Sequence, residues 1–513
     1  MKIVNAASMT ALDQRAIQEL GLPALVLMER AALGVLAVIQ THFPHHLASV
    51  HILVGTGNNG GDGLALARLL HNQGLAVQVW WQGATAKRSA EFQIQFEINQ
   101  ALGVPMGPVA IETLPQSLGH ASLIVDSLFG IGLSREVTGD WAAMITSANR
   151  AKAPVLAIDI PSGLQADTGQ VLGVAMVADI TVSCALPKWA HFLDTALDHV
   201  GKLEIVDIGI PPIYYQDHPQ QVITRDLAKT YLPPARASQS HKGTYGRLAI
   251  VAGSLGMSGA AVLAAQAALE TGVGLVHLFV PAAIQAVLST MLPEVQVQGL
   301  PETDGALNQA AWPLLKDQLA KMDAVLLGPG LGRSEATAGF CQALFAENTR
   351  PLLLDADALY HLAADPGALK ASDKCPLILT PHPGEMATLL GYSGAEIQAD
   401  RVTAVQQAAQ RYQAVAVLKG ARSLIANSAQ QLWFNSSGNP GMARGGMGDL
   451  LAGLIAGLLA QGFAPESAAA LGVYWHGLAG NRVAQEQGPV AVSLQRLLAQ
   501  LPAAWQQIAA AKR

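Results

Sequence analysis

Cysteine is scarce in this chain, with Cys184, Cys341 and Cys375 as the only three in 513 residues. Their odd number, wide spacing and lack of a C-x-x-C pair exclude a disulfide framework and a cysteine-rich zinc site, and they fit a reducing cytoplasm. Charge is scarce too. Asp, Glu, Lys and Arg make up 13% of the residues, about half of the roughly 25% usual in soluble proteins. With 51% apolar residues, this composition excludes a disordered chain. The 50 glycines lack the three-residue period of collagen. The net charge is −6 and no basic block is present, which argues against a nucleic-acid or anionic-membrane surface. Any phosphate must therefore be held by local groups. Asp13, Arg15 and Glu19 interrupt residues 1–20 where a secretion signal needs an apolar core. Mean hydropathy is +0.31, yet the longest uncharged runs, 248–269 and 271–293, are broken by glycine, serine and Pro281. Each reads as buried strand, turn and helix rather than as a membrane span of about 20 residues. A soluble, cytoplasmic protein is expected, without nucleic-acid or membrane partners.

What the chain does have is length and alternation. Its 513 residues exceed what one hydrophobic core organises, so two or three domains are expected. Short apolar runs predict strands at Val50–Val54, 76–81, 122–125, Val155–Ile158, 180–183 and 203–206. Such strands, apolar on both faces and alternating with helices, indicate a mostly parallel sheet covered on both sides. Pro211, Pro212 and Pro219, followed by the polar stretch 233–242, mark a boundary. Strands are expected again at 248–251, 275–280, Ala324–Leu327, Leu352–Leu354, Leu377–Leu379 and Val415–Leu418, before helical sequence from Asp449 to about Ala511. The expected fold is α/β, with two three-layer αβα domains in series at residues 1–215 and 222–513.

Residues 55–63 read G-T-G-N-N-G-G-D-G directly after the first strand. Glycines there let the backbone turn sharply and present N–H groups at a helix N-terminus, where an anion is favoured. Asn58, Asn59 and Asp62 do no packing work in such a loop, which makes a ligand site a stronger reading than an ordinary tight turn. Asp126 and Asp159 sit at the ends of two other strands, and each is followed by glycine. A lone strand-end aspartate is commonly a cap or turn former. Here the carboxyl ends of the strands converge on one crevice, so Asn58, Asp126 and Asp159 should gather.

Residues 55–63, Asp126 with 130–136, 159–163 and the upstream L-M-E-R-A at 27–31 together resemble the NAD(P)H-hydrate epimerase family, over roughly residues 1–212. The resemblance implies a Rossmann-like epimerase domain. It also implies that Asn58, Asn59, Gly60, Gly61 and Asp62, with Gly130, Ile131, Gly132, Leu133, Ser134, Arg135 and Glu136, bind the hydrated dinucleotide. Asn59, Asp126 and Ser162 are implied as ligands of K+, with Asp159 beside the substrate. Ile131 stands where family members often carry Thr. Epimerisation requires a configuration to be lost and regained, so Asp159 is the candidate acid/base. Lys188 is a second candidate, although a solvated lysine is the plainer reading.

Residues 438–457 read G-N-P-G-M-A-R-G-G-M-G-D-L-L-A-G-L-I-A-G. A glycine-rich turn opening an apolar helix is an anion hole, and Asp449 can take a proton from an attacking hydroxyl. The plainer alternative is a helix start capped by Asp449. No G-x-x-x-x-G-K-[ST] sequence exists, so this is not a Walker-type site. The turns 328–330, 381–385 and 419–423 each follow a strand and bring His382 and Lys419 to the same side. His382 alone would read as a turn histidine.

These segments, with 253–260, resemble the ribokinase-like superfamily and its NAD(P)H-hydrate dehydratase branch, over roughly 222–510. The resemblance implies that Ala260, Gly330, His382 and Asp449 contact the hydrate, and that Lys419, Gly420, Ala421, Arg422, Ser423 and Gly448 hold the nucleotide. Met257 stands where an aromatic residue is common, and Arg444 where a small or hydroxyl residue is usual, adding positive charge beside the anion hole. The implied activity is repair of hydrated NAD(P)H: epimerisation of the R and S forms, then dehydration of the S form with ADP and Mg2+, giving AMP and phosphate. Implied partners are NADHX, NADPHX, ADP and further copies of the chain in a homo-oligomer. The alternative is a small-metabolite kinase fused to a non-catalytic nucleotide-binding module. His42, His45 and His46 lack a completing ligand set for a metal, and Trp80 with Trp81 reads as core or interface.

Overall fold

The computed structural model describes residues 1–82, 88–369 and 375–511. The chain divides into two compact units, Lys2–His218 and a second formed by Met1 with the chain from Pro219 onward.

In the first unit seven strands form one sheet: β1 (Val50–Val54), β2 (Val77–Trp81), β3 (Met106–Pro108), β4 (Leu123–Ser127), β5 (Val155–Ile158), β6 (Ile180–Cys184) and β7 (Lys202–Val206). Their order is β3-β2-β1-β4-β5-β6-β7, and every pairing is parallel. The order reverses between β1 and β4, so a crevice opens beyond their carboxyl ends. Side chains alternate between two cores. Ile52, Val125 and Leu156 pack on one face, and Leu53, Ile124 and Ala157 on the other, as the two-residue period of a strand buried on both faces requires. The helix Ala24–His42 has the length and apolar character to cross a membrane, with mean hydropathy 1.6. Its Met28, Ala32, Val35 and Ile39 instead pack in the core with β1, and its Glu29 pairs with Arg68.

The second unit contains β8 (Gln220–Ile223), β9 (Arg247–Val251), β10 (Leu275–Pro281), β11 (Gln296–Leu300), a small hairpin of β12 (Glu302–Thr303) and β13 (Ala306–Leu307), then β14 (Ala324–Leu327), β15 (Leu352–Leu354), β16 (Leu377–Leu379), β17 (Val415–Leu418), β18 (Leu424–Ala426) and β19 (Leu432–Asn435). Ten of them form a sheet in the order β11-β10-β9-β14-β15-β16-β17-β18-β19-β8. It is parallel from β11 to β17, antiparallel at β17–β18 and β18–β19, and parallel again at β19–β8. Leu248, Ile250, Leu353 and Ile378 face one core; Val251, Val325, Leu352 and Leu379 face the other. The two uncharged runs resolve as expected into strand, turn and helix: β9 with the helix Ser258–Glu270, and β10 with the helix Gln285–Met291.

The strands β3, β8, β11, β18 and β19 and the β12–β13 hairpin were not expected. β3, β8 and β11 carry glycine, glutamine or proline among few apolar residues and owe their existence to pairing at sheet edges rather than to propensity, whereas β18 and β19 are short apolar runs of three and four residues. A further difference concerns residues 55–63, read as a loop. The helix Asn58–Asn72 begins inside them. Glycine is required there for close approach: a side chain on Gly55 would run into Leu128 O, and one on Gly63 into Ser127 Oγ.

Candidate active sites

The carboxyl ends of β1, β4, β5 and β6 open onto a cavity of about 820 Å³. Asn58, Asn59, Asp62, Gly130, Ile131, Gly132, Leu133, Ser134, Arg135 and Asp159 line it. Of the expected substrate residues, Gly60, Gly61 and Glu136 are outside this lining. The two glycines are buried beneath the helix start, packed against Gly55 and Met28.

Asp126, Ser162 and Asn59 come together at the base of the crevice. Asp126 lies inside β4 and is 0% exposed. Its Oδ1 accepts from Ser162 Oγ at 2.6 Å, and its Oδ2 from Ser162 N at 2.8 Å. Burial pushes this carboxyl up to about 6, against the pull of these hydrogen bonds. Asn59 donates through Nδ2 to Phe129 O at 3.0 Å, which leaves its buried Oδ1 without a partner among the described residues. A buried carboxylate and an orphaned amide oxygen form an electron-rich pocket that costs free energy unless a cation fills it. The described residues hold no cluster of His, Cys, Asp and Glu suited to a transition metal, and a neutral-plus-carboxylate oxygen set suits a hard cation.

Lys188 corrects the reading of a solvated lysine. It is 1% exposed, and its ammonium pairs with Asp159 Oδ1, Ser183 Oγ at 3.2 Å and Cys184 O at 2.9 Å. Its three N–H bonds thus have three acceptors. The pattern alone could not reveal this, because burial depends on the loop after β6 folding back over the strand end. Asp159 itself has φ 67, a left-handed conformation that costs a non-glycine residue on the order of 1–2 kcal/mol and must be held by its surroundings. Its Oδ2 has no hydrogen-bond partner among the described residues and lies by the Gly130 turn, where a methyl group on Gly130 would be 3.7 Å away. Asp13 is a further cavity residue that the sequence did not disclose. Burial first, then Asp159, against Lys188, push its carboxyl up to about 6. Burial, with Asp159 and Asp13 adding to it, also raises Asp62 well above the carboxylate range.

The second site lies at the start of the helix Met447–Ala460, whose N-cap Gly446 has φ 90. Asp449 is in the first turn, where N–H groups have no acceptor within the helix. Burial, then Asp355, against Lys419, push its carboxyl up to about 6. Lys419 Nζ is 2.6 Å from Asp355 Oδ1 and 3.7 Å from Glu385 Oε2, and a methyl group on Gly448 would lie 3.3 Å from it. Burial alone would lower the Lys419 ammonium, but Asp355 and Glu385 outweigh it and raise it above the usual lysine value.

Gly330 sits against Met257 and Ala260. His382 is the N-cap of the helix Pro383–Leu390, accepting through Nδ1 from Gly384 N at 3.0 Å and Glu385 N at 3.3 Å. Its side chain is 56% exposed, with Nε2 3.4 Å from Glu385 Oε1, so the turn role and an exposed ring coexist. Gly420 packs on the guanidinium of buried Arg401, Arg422 donates to Ser436 O, and Ser423 is buried.

The NAD(P)H-hydrate dehydratase family model matches residues 248–503, and that of the YjeF-related protein N-terminus matches residues 24–190. A bifunctional NAD(P)H-hydrate repair enzyme of Moorella thermoacetica is 42% identical over 511 residues, 98% of this chain and 96% of that protein. The chain belongs to the bifunctional NAD(P)H-hydrate repair enzymes. The repair enzyme of Synechocystis is 38% identical over 504 residues, covering 96% of this chain and 93% of its own. Among solved structures, a ribokinase-like superfamily protein from Enterococcus faecalis is similar with a TM-score of 0.50 and 27% identity, covering 57% of this chain and 97% of that one.

The family is the one its motifs resemble, and this repair enzyme is an epimerase and a dehydratase in one chain. The alternative of a kinase fused to a non-catalytic module gives way. Three departures in this repair enzyme now have locations. Ile131 lines the first cavity, Met257 is 43% exposed beside Gly330, and Arg444 donates to Val490 O at 2.8 Å. Beyond Asp13, the sequence reading of the repair enzyme missed Asp355, 1% exposed after β15, and Glu385 as a partner of Lys419. An Asp-Ala-Asp at 355–357 directly after an apolar strand was the available signal.

Proposed function

We propose that the first unit interconverts the R and S forms of hydrated NADH and NADPH. The second unit then dehydrates the S form with ADP, releasing AMP and phosphate and regenerating NAD(P)H. The observation that carries this reading is a buried carboxylate–lysine pair at the strand ends of each unit: Asp159 with Lys188, and Asp355 with Lys419, whose charges act on Asp449 at the neighbouring helix start.

In the first unit Asp159 Oδ2 is the proton-transfer atom. Lys188 is satisfied by its own acceptors and so orients Asp159 rather than donating to substrate. Asn58, Asp62 and the 130–136 turn hold the dinucleotide by backbone and side-chain donors. Asn59, Asp126 and Ser162 would hold K+, and the orphaned Asn59 Oδ1 supports that assignment. The cation would supply fixed positive charge beneath the substrate.

In the second unit the first-turn N–H groups of the helix Met447–Ala460 face the phosphates. Asp449 takes the proton of the hydrate hydroxyl as that oxygen attacks the terminal phosphoryl group and AMP departs. The C–O bond of the phosphate ester then breaks, inorganic phosphate leaves, and the adjacent ring carbon loses its proton to solvent as the double bond forms. Ala260, Gly330 and His382 contact the hydrate. Lys419, Gly420, Ala421, Arg422, Ser423 and Gly448 hold the nucleotide. Mg2+ would reach the site on the phosphates, screening their charge. The three free cysteines support a cytoplasmic setting.

The test uses a racemic preparation of hydrated NADH with the full chain, Mg2+, K+ and either ADP or ATP, following absorbance of the reduced nicotinamide. Complete recovery with ADP is expected. Recovery that stalls near half would leave a dehydratase without epimerase activity, and none with either nucleotide would overturn the reading.

A further inference from the structure

His191 lies in the short 3-10 segment Trp189–Phe192, 3% exposed, and nothing in the sequence pattern singles it out. Its Nδ1 is 3.0 Å from the backbone nitrogen of Lys188, and its Nε2 is 2.9 Å from the carbonyl oxygen of Asp159. A backbone N–H can only donate, so Nδ1 is the unprotonated nitrogen. Nε2 then carries the hydrogen and donates to Asp159 O. Both bonds therefore require one tautomer of the neutral ring. The surroundings favour that state: burial first, and Lys188 second, push the imidazole down to about 4.

The two residues it clasps are the members of the ion pair. Their side chains meet at the cavity, while His191 ties their main chains together from behind. Asp159 N donates to Val182 O at 2.8 Å, so strand β6 and His191 between them hold both backbone groups of a residue in the left-handed region. Release of either bond would free the Asp159 peptide to relax, and Oδ2 would move with it.

We propose that His191 is a positioning residue of the epimerase site, which, as the neutral Nε2–H imidazole, fixes the backbones of Asp159 and Lys188 so that Asp159 Oδ2 faces the cavity. The proposal rests on the epimerase reading of the first unit. It adds to it a residue that touches neither substrate nor K+.

The test compares full-length His191→Phe, His191→Gln and His191→Asn. Phenylalanine fills the ring volume and makes neither bond. Glutamine reaches the Nε2 position and donates to Asp159 O, whereas asparagine reaches only the Nδ1 position and accepts from Lys188 N–H. In His191→Phe, kcat for epimerisation should fall about 10- to 100-fold, as for an active group misplaced by about 1 Å. KM should stay within about twofold, and dehydration of the pure S form should be unchanged. His191→Gln should recover more kcat than His191→Asn. A His191→Phe enzyme with wild-type kcat, or a loss expressed in KM instead, would overturn the proposal. Should His191→Phe also lose dehydration through misfolding, the order of Gln and Asn decides, and Asn equal to or above Gln overturns it. Asp159→Asn assayed in parallel separates the two levels. Full epimerisation by that variant removes the epimerase assignment, whereas its inactivity beside an unaffected His191→Phe removes only the role of His191.

Discussion

Asp449→Asn should lower the dehydration rate by about 10³-fold while epimerisation continues at the wild-type rate. The amide keeps the shape of the side chain in the first turn of the helix Met447–Ala460 but cannot accept the hydroxyl proton, and positioned bases contribute about 10²–10⁴-fold. The effect belongs on kcat, because the groups proposed to hold the nucleotide remain in place. A pH profile gives a second reading of the same residue. Burial and Asp355 push the carboxyl up to about 6, against Lys419, and a base works only when deprotonated. Dehydration at saturating ADP should therefore be flat above about pH 6 and fall tenfold per pH unit below it. A profile that stays flat to pH 5, or an asparagine variant within tenfold of wild type, would remove Asp449 as the base.

Asp159→Asn is expected to lower epimerisation by about 10²–10³-fold. Recovery of NADH from the racemic hydrate should then stall near half, with dehydration of the pure S form intact. Lys188→Ala is a poorer test of the same site, although it removes the same ion pair. Either change leaves one charge of a buried pair uncompensated, at a cost of about 3–5 kcal/mol. But Lys188→Ala also empties the buried lysine's space and removes every hydrogen bond of its ammonium, so loss of activity there would not separate chemistry from folding. Asp159→Asn leaves the lysine with Ser183 Oγ, Cys184 O and a neutral amide oxygen. Complete recovery by this variant would contradict the assignment of Oδ2.

What the sequence discloses follows from where the information is stored. The parallel strands are short apolar runs bracketed by turns, and β1, β5 and β14 to β17 fall where their residues place them. The residues converging on each crevice are legible for the same reason: a strand end is a local feature, and the topology of a doubly wound sheet sends all such ends to one side. Edge strands such as β3 and β8 are not legible, because their pairing partner rather than their composition makes them strands. The supporting residues of the sites are hidden for a different reason. Lys188 and His191 act through burial and through bonds to Asp159, 29 and 32 positions away, and Asp355 through Lys419, 64 positions away. A loop lysine and a loop histidine have no periodicity to mark them. Only the folded chain shows that the lysine has lost its water.

That lost water has a chemical consequence. An amine reacts with acylating reagents through a free lone pair, and the Lys188 nitrogen has none to offer while its three hydrogens are bonded and its surface is closed. Surface lysines such as Lys202, 59% exposed at the side chain, have no such protection. Modification of Lys188 must wait for its ion pair with Asp159 to break. Its labelling rate should therefore follow how often that pair breaks, and it should slow further whenever a ligand fills the cavity that Lys188 lines.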